Sequence, residues 1–125
     1  MDTQLTYLAW SALLCIVLWF PYVLERIQAQ GLVDSLGYPD NPPEAAKWAQ
    51  RAHRAHLNMV ENLPAFAALV LIAHVTEVDA ATGAALFFYA RLAHAIVYIL
   101  GIPYLRTLTF FVSWIGILII FFQVL

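Results

Sequence analysis

The sequence has few charged residues. Asp, Glu, Lys and Arg make up 11% of its 125 positions, whereas 63% of the positions are hydrophobic. A soluble domain of this size usually has about 25% charged and 45–50% apolar residues. This shortage of charge excludes an ordinary soluble domain and predicts an integral membrane protein. The chain is also too short for two domains, so residues 1–125 are expected to form one.

Four other absences narrow the possible functions. The net charge of -2 and the lack of a basic run give no indication of a nucleic-acid partner. A single cysteine, Cys15, cannot form an internal disulfide and is typical of a small buried side chain. No histidine pair shares a helix face with a carboxylate in a geometry that suits a metal ion, so no metal site is predicted. The lack of an internal repeat and of paired broken helices argues against a small transporter.

Long apolar segments are what the chain does have. The predicted membrane spans cover about residues 5–24, 57–76, 81–100 and 106–124. Pro21 is expected to kink the last turn of the first span. Residues 76–80 and 101–104 form short turns, and residues 31–43 are the one substantial loop. Short connections predict an all-α fold, an antiparallel four-helix membrane bundle.

The second helix is predicted to begin outside the membrane. Asn41 is a good candidate for its N-cap, with Pro42 in the first helical position, so the helix is expected to start near Glu44 and end near Val75. Its uninterrupted apolar part, residues 63–73, is too short to span the bilayer alone. The polar residues before it must therefore lie at membrane depth and face protein or water.

The basic residues predict the orientation. Arg26, Lys47, Arg51, Arg54 and Arg106 all lie at the ends served by the first and third connections. The positive-inside rule places these connections in the cytoplasm. Both termini are then expected on the opposite side of the membrane.

Polar side chains share one face of the second helix. At about 100° per residue, Arg54, Asn58 and Glu61 fall within about 60° of one another, and Arg51 widens that arc to about 80°. A second group follows on the third helix and at the start of the fourth: Arg91, His94, Tyr98 and Arg106. Four arginines are thus placed near one glutamate at one membrane face.

This excess of arginine predicts an anion-binding site. Each arginine at mid-bilayer costs about 2.5–3.5 kcal/mol on insertion scales, so its presence requires compensation. The alternative is an internal arginine–glutamate network that ties the helices together, but one glutamate cannot pair with four arginines. Arginine matches carboxylates bidentately. Asn58 and Glu61 add an amide and a negative group, which suits a peptide-like ligand carrying carboxylates and an ammonium group.

The polar motif resembles that of a known family. The pattern R-A-x-x-N-x-x-E-x-x-P-x-F is formed by Arg54, Ala55, Asn58, Glu61, Pro64 and Phe66. It is similar to the signature of the MAPEG family, the membrane-associated proteins of eicosanoid and glutathione metabolism, which include microsomal glutathione transferases. The stripe on the third helix and the arginine that opens the fourth also resemble that family.

The resemblance implies a homotrimer with glutathione bound between neighbouring subunits. It assigns glutathione contacts to Arg54, Asn58, Glu61, Arg91, His94 and Tyr98. It assigns stabilisation of the glutathione thiolate to Arg106, and contacts with the glutathione carboxylates to Arg26 and Arg51. The implied activity is a transferase or peroxidase that acts on lipophilic electrophiles or hydroperoxides arriving from the bilayer.

Other interpretations of the function stay open. Phe110 and His94 replace tyrosines of the prostaglandin-forming and leukotriene-forming members, respectively, and the family also contains a non-enzymatic member. A non-catalytic lipid-binding or scaffold protein is therefore the alternative function. His53 and His56 point away from the arginine-bearing arc and are expected to contact solvent or lipid headgroups.

Overall fold

The computed structural model describes residues 2–125, and over this range every regular element is a helix. The helices are α1 Thr3–Val17, α2 Phe20–Gln30, α3 Leu32–Leu36, α4 Lys47–Val75, α5 Ala81–Leu100 and α6 Leu105–Val124. Four helical segments are long and apolar enough to cross a membrane, with α1 and α2 together forming the first. The predicted all-α membrane fold is confirmed.

The helix that carries the first span is interrupted earlier than expected. The interruption lies at Leu18 and Trp19, before Pro21, whereas a kink was expected in the last turn of a span that ends near Leu24. Proline has no N–H, and its ring clashes with the carbonyl group four residues earlier, so the helix is disturbed on the N-terminal side of Pro21. The helix then continues to Gln30.

The loop between α2 and α4 also corrects the prediction. It contains the short helix α3, and α4 begins at Lys47 instead of near Glu44. Asn41 is not the N-cap: Ala46 occupies that position with an extended backbone, φ -56° and ψ 149°. Pro43 favours an extended backbone at Pro42, the residue before it, so Pro42 does not begin the helix. The Ala46 N–H donates to Glu25 Oε1 of α2 over 3.3 Å, so a contact with another helix replaces the local cap.

The remaining helices agree closely with their predicted limits. Helix α4 ends at Val75, α5 covers Ala81–Leu100, and α6 begins one residue before Arg106. Pro64 is accommodated inside α4, which at 29 residues is about 44 Å long. This helix therefore projects beyond a hydrocarbon core of about 30 Å.

The core lies where α4, α5 and α6 meet. The rings of Phe66 on α4 and Phe87 on α5 stack with their centroids 3.9 Å apart. One turn earlier on α5, a Cβ added to Gly83 would lie 2.8 Å from the carbonyl oxygen of Gly116, so the α5 and α6 backbones are in close contact. Small residues at such crossings are typical of membrane helix pairs. This packing fixes the α5 face that carries the polar stripe.

Candidate functional site

The two predicted polar stripes meet at the end of the bundle where α5 ends and α6 begins. A cavity of about 340 Å³ opens there, which we call the Asn58 cavity. It is lined by Asn58, His94, Tyr98, Arg106, Thr107 and Phe110. Three helices contribute to this lining, and four of its residues were predicted as site residues from the sequence.

A second cavity shares a wall with the first. This Arg54 cavity, of about 190 Å³, is lined by Arg51, Arg54, Tyr98, Gly101, Ile102, Pro103 and Arg106. Tyr98 and Arg106 line both cavities. The two spaces are therefore neighbours, and three arginines surround the smaller one.

Arg106 lies on the wall between the two cavities. Its guanidinium carbon is 4.9 Å from the centroid of the Tyr98 ring, a cation–π contact. The Tyr98 ring in turn meets the His94 ring edge-on at 5.3 Å. No carboxylate lies within ion-pair distance of Arg106 in the described part of the chain. Its charge is thus held in place by an aromatic ring and remains available to an anion.

Arg51 has a structural contact as well as a place in the Arg54 cavity. Its Nε donates to the Ile99 carbonyl oxygen over 3.1 Å, at the end of α5 where helix carbonyls lack helical partners. Its guanidinium lies against Gly101, which has φ 76°. A Cβ at Gly101 would come within 2.9 Å of Arg51 Nε, so glycine leaves room for this side chain.

Arg91 lies behind the Asn58 cavity instead of lining it. It is 1% exposed. One guanidinium nitrogen donates to Asn58 Oδ1 over 2.6 Å, and the other to Ser113 Oγ over 3.4 Å. Both partners are neutral. The alternative of an internal arginine–glutamate network is therefore wrong: between residues 2 and 125 the one ion pair joins His74 to Asp2.

Glu61 and Arg26 were also predicted as site residues, but within this chain they line neither the Asn58 cavity nor the Arg54 cavity. Glu61 is exposed on α4 and lines neither arginine-rich cavity. Arg26 on α2 lines a separate cavity of about 430 Å³ between α2 and α4, together with His53 and Arg54. Arg54 thus borders both this space and the Arg54 cavity.

Some contacts were not predicted. Thr107 and Ser113 were not among the predicted site residues, although they follow Arg106 on α6 and the spacing of Ser113 puts it on the Arg106 face. The expectation that His56 faces solvent or headgroups is wrong, because its Nδ1 lies 2.8 Å from the Tyr22 hydroxyl and ties α2 to α4. His53 is exposed, with its ring 4.7 Å from that of Tyr22.

A larger cavity lies at the opposite end of the bundle. It measures about 880 Å³ and is bordered by Asp2, His74, Glu77 and Asp79. Its carboxylates disfavour an anionic ligand. No group of three metal-ligating side chains with suitable geometry is found from residue 2 onward.

Comparison with known proteins identifies the family. The sequence model described as the MAPEG family matches residues 5–125, nearly the whole chain. No curated protein and no solved structure matches the chain. The family match agrees with the four apolar helices and with the arginine-bearing motifs on α4, α5 and α6. The chain therefore belongs to the MAPEG family, whose members are membrane proteins of glutathione and eicosanoid metabolism.

Proposed function

We propose that this protein is a membrane-bound, glutathione-dependent transferase or peroxidase for lipophilic electrophiles or hydroperoxides. Family membership supports glutathione as the ligand. The observation that carries the proposal is the position of Arg106, a cation without a carboxylate partner among the described residues, on the wall shared by two cavities. A small anion that enters either cavity meets its guanidinium.

The two cavities suggest different tasks for different parts of glutathione. The Arg54 cavity, with Arg51 and Arg54, suits the carboxylates, because guanidinium groups bind carboxylates bidentately. The Asn58 cavity, with Asn58, His94 and Tyr98, suits the cysteinyl part. We further propose a homotrimer, in which Arg26 and Glu61, outside the Asn58 cavity of their own chain, complete a site between subunits.

Arg106 would supply the chemistry that the thiol needs. A free thiol has a pKa near 8.5, so only a few per cent is thiolate at pH 7. A cation within about 4–6 Å favours the anion and lowers such a pKa by about 1–3 units. Arginine does not act as a base in proteins, so its role is to stabilise the thiolate, not to remove its proton. The electrophile would reach the sulfur from the bilayer beside Phe110, at the edge of the Asn58 cavity.

The proposed orientation places the arginine-rich end in the cytoplasm. Lys47, Arg51 and Arg54 lie in the first turns of α4, and Arg106 lies in the first turn of α6. The positive-inside rule then puts both chain termini on the other side. A water-soluble peptide such as glutathione would enter from the cytoplasm.

Turnover tests this proposal. Purified protein in detergent is assayed with chlorodinitrobenzene and with a lipid hydroperoxide, each with and without glutathione. We expect glutathione-dependent turnover by the wild type and a loss of about a hundredfold in Arg106→Ala, the size found for one oxyanion-stabilising group. Lys47→Ala is the matched control, because it removes an exposed cation at the same end without touching either cavity. Equal rates for both variants would contradict the assigned role.

One observation favours a second candidate, a non-catalytic lipid-binding protein. The Asn58 cavity opens beside a run of aromatic rings on α6, in which Phe110 and Phe111 are 6.0 Å apart and Phe111 and Trp114 are 6.3 Å apart. Phe111 and Trp114 are exposed and could contact an acyl chain. This candidate predicts saturable fatty-acid binding with no turnover of chlorodinitrobenzene.

A further inference from the structure

Arg91 is a buried cation without a charged partner over the described range. It lies near the middle of α5 and is 1% exposed, and its Nε forms no hydrogen bond. Its two other nitrogens donate to neutral oxygens, Asn58 Oδ1 and Ser113 Oγ. Burial of an arginine with only neutral partners costs free energy, so helix packing alone does not explain why an arginine occupies this position.

The chemistry of arginine determines which way the Asn58 amide faces. A guanidinium group has five donors and no acceptor, so the amide atom 2.6 Å from it must be the oxygen. Asn62 Nδ2 reinforces this orientation from 3.5 Å, while bonding more closely to the Asn58 carbonyl oxygen at 2.7 Å. Asn58 Nδ2 donates to no acceptor among residues 2–125. Because Asn58 lines the cavity, its free N–H groups are the ones available to a ligand there.

Ser113 holds the far side of the same guanidinium. Its hydroxyl donates to the Phe110 carbonyl oxygen over 2.7 Å, so its oxygen is left to accept from Arg91. Ser113 is itself 1% exposed. The contacts therefore run from α6 through α5 to α4, and they end at an amide in the wall of the Asn58 cavity.

We propose that Arg91 is a positioning residue: held by Ser113, it fixes the Asn58 amide so that Nδ2 donates to the anionic part of the ligand in the Asn58 cavity. It does not touch the ligand itself. This inference rests on the proposed function for the identity of the ligand, glutathione. It predicts that the effect of Arg91 on glutathione binding passes through Asn58.

A double-mutant cycle tests this coupling. Glutathione dissociation constants are measured by calorimetry for the wild type, Arg91→Met, Asn58→Ala and the double variant. Each single substitution is expected to raise Kd about tenfold, the value of one hydrogen bond to a charged group, and the double variant is expected to lose no more than either. KM for glutathione should rise together with Kd in Arg91→Met and in Asn58→Ala, and it should rise no further in the double variant. Multiplied effects in the double variant, or an unchanged Kd in Arg91→Met, would overturn the proposal.

A second variant keeps the test decisive should Arg91→Met fail to fold. Asn58→Asp keeps the oxygen that Arg91 contacts and adds a charged partner, but it has no N–H to offer the cavity. We expect a protein that melts no lower than the wild type and yet binds glutathione about tenfold more weakly. If the wild type binds glutathione and Asn58→Asp binds it with the same affinity, the positioning role alone is overturned. A wild type that binds no glutathione would overturn the proposed function and this inference together.

Discussion

The two ends of the bundle differ in how their charges are satisfied. At the acidic end, Asp2 pairs with His74 over 3.0 Å, and Asp79 Oδ1 accepts the Ala81 N–H over 3.0 Å at the start of α5. At the arginine end, Arg54 and Arg106 have no carboxylate within ion-pair distance in residues 2–125. The larger cavity is at the acidic end, about 880 Å³ against about 340 Å³. Unsatisfied charge beside lipid, more than cavity volume, marks the candidate site.

The largest effect is expected when charge is removed at the arginine end, compared with the same change at the acidic end. Arg51→Ala combined with Arg54→Ala should raise the glutathione Kd by about a hundredfold or more, because each charge-assisted bond contributes about 1.5–3 kcal/mol. Glu77→Gln combined with Asp79→Asn changes two charges at the acidic end and should leave the Kd unchanged. Calorimetry on the wild type and the two double variants measures this difference. Equal weakening by both pairs would contradict the assignment of the site to the arginine end.

A smaller effect is expected from the backbone beside Arg51. Gly101→Ala introduces a Cβ 2.9 Å from the guanidinium at a φ of 76°, so Arg51 must move. We expect a loss of about 1–3 kcal/mol of stability from the backbone strain and a several-fold weaker binding of glutathione. Gly31→Ala is the control: its φ is 87°, but a Cβ there meets nothing within 4 Å. Thermal melting should fall in both variants, whereas glutathione binding should weaken in Gly101→Ala alone. Unchanged glutathione binding by Gly101→Ala would show that the position of Arg51 does not matter for binding.

The smallest effect is expected at the ion pair of the acidic end. The side chains of His74 and Asp2 are 48% and 60% exposed, so water screens their attraction. His74→Ala should change stability by no more than ~0.5 kcal/mol, as exposed ion pairs usually do, and should not affect glutathione turnover. Melting temperature and turnover in detergent check both statements. A loss of turnover would make the acidic end part of the functional machinery, against the present assignment.

Much of the fold was predictable because charged and turn-forming residues separate the apolar segments clearly. The limits of α5 follow from the acidic turn before it and from Gly101 after it. The start of α4 was missed because Glu25, twenty-one residues away in the chain, satisfies the backbone at Ala46. Local cap rules cannot include such a contact.

Which residues form the candidate site was largely predictable from the sequence, but how deeply each of them is buried was not. Helical spacing puts Arg91, His94 and Tyr98 on one face, and the structure brings His94 and Tyr98 into the Asn58 cavity wall. The same spacing cannot show that Arg91 is covered by α4 and α6, because burial depends on how far along the helix its neighbours cross. Its contact with Ser113 depends on packing between α5 and α6, which no periodicity contains.

The most direct test of the central claim is the ultraviolet absorbance of the glutathione thiolate. Glutathione is titrated into the detergent-solubilised protein at neutral pH, and the thiolate signal is compared with that of glutathione in buffer. We predict a saturable increase for the wild type and for Lys47→Ala, and none for Arg106→Ala. No increase with the wild type, or an equal increase with Arg106→Ala, would contradict the claim that unpaired arginines at this end of the bundle stabilise a bound thiolate.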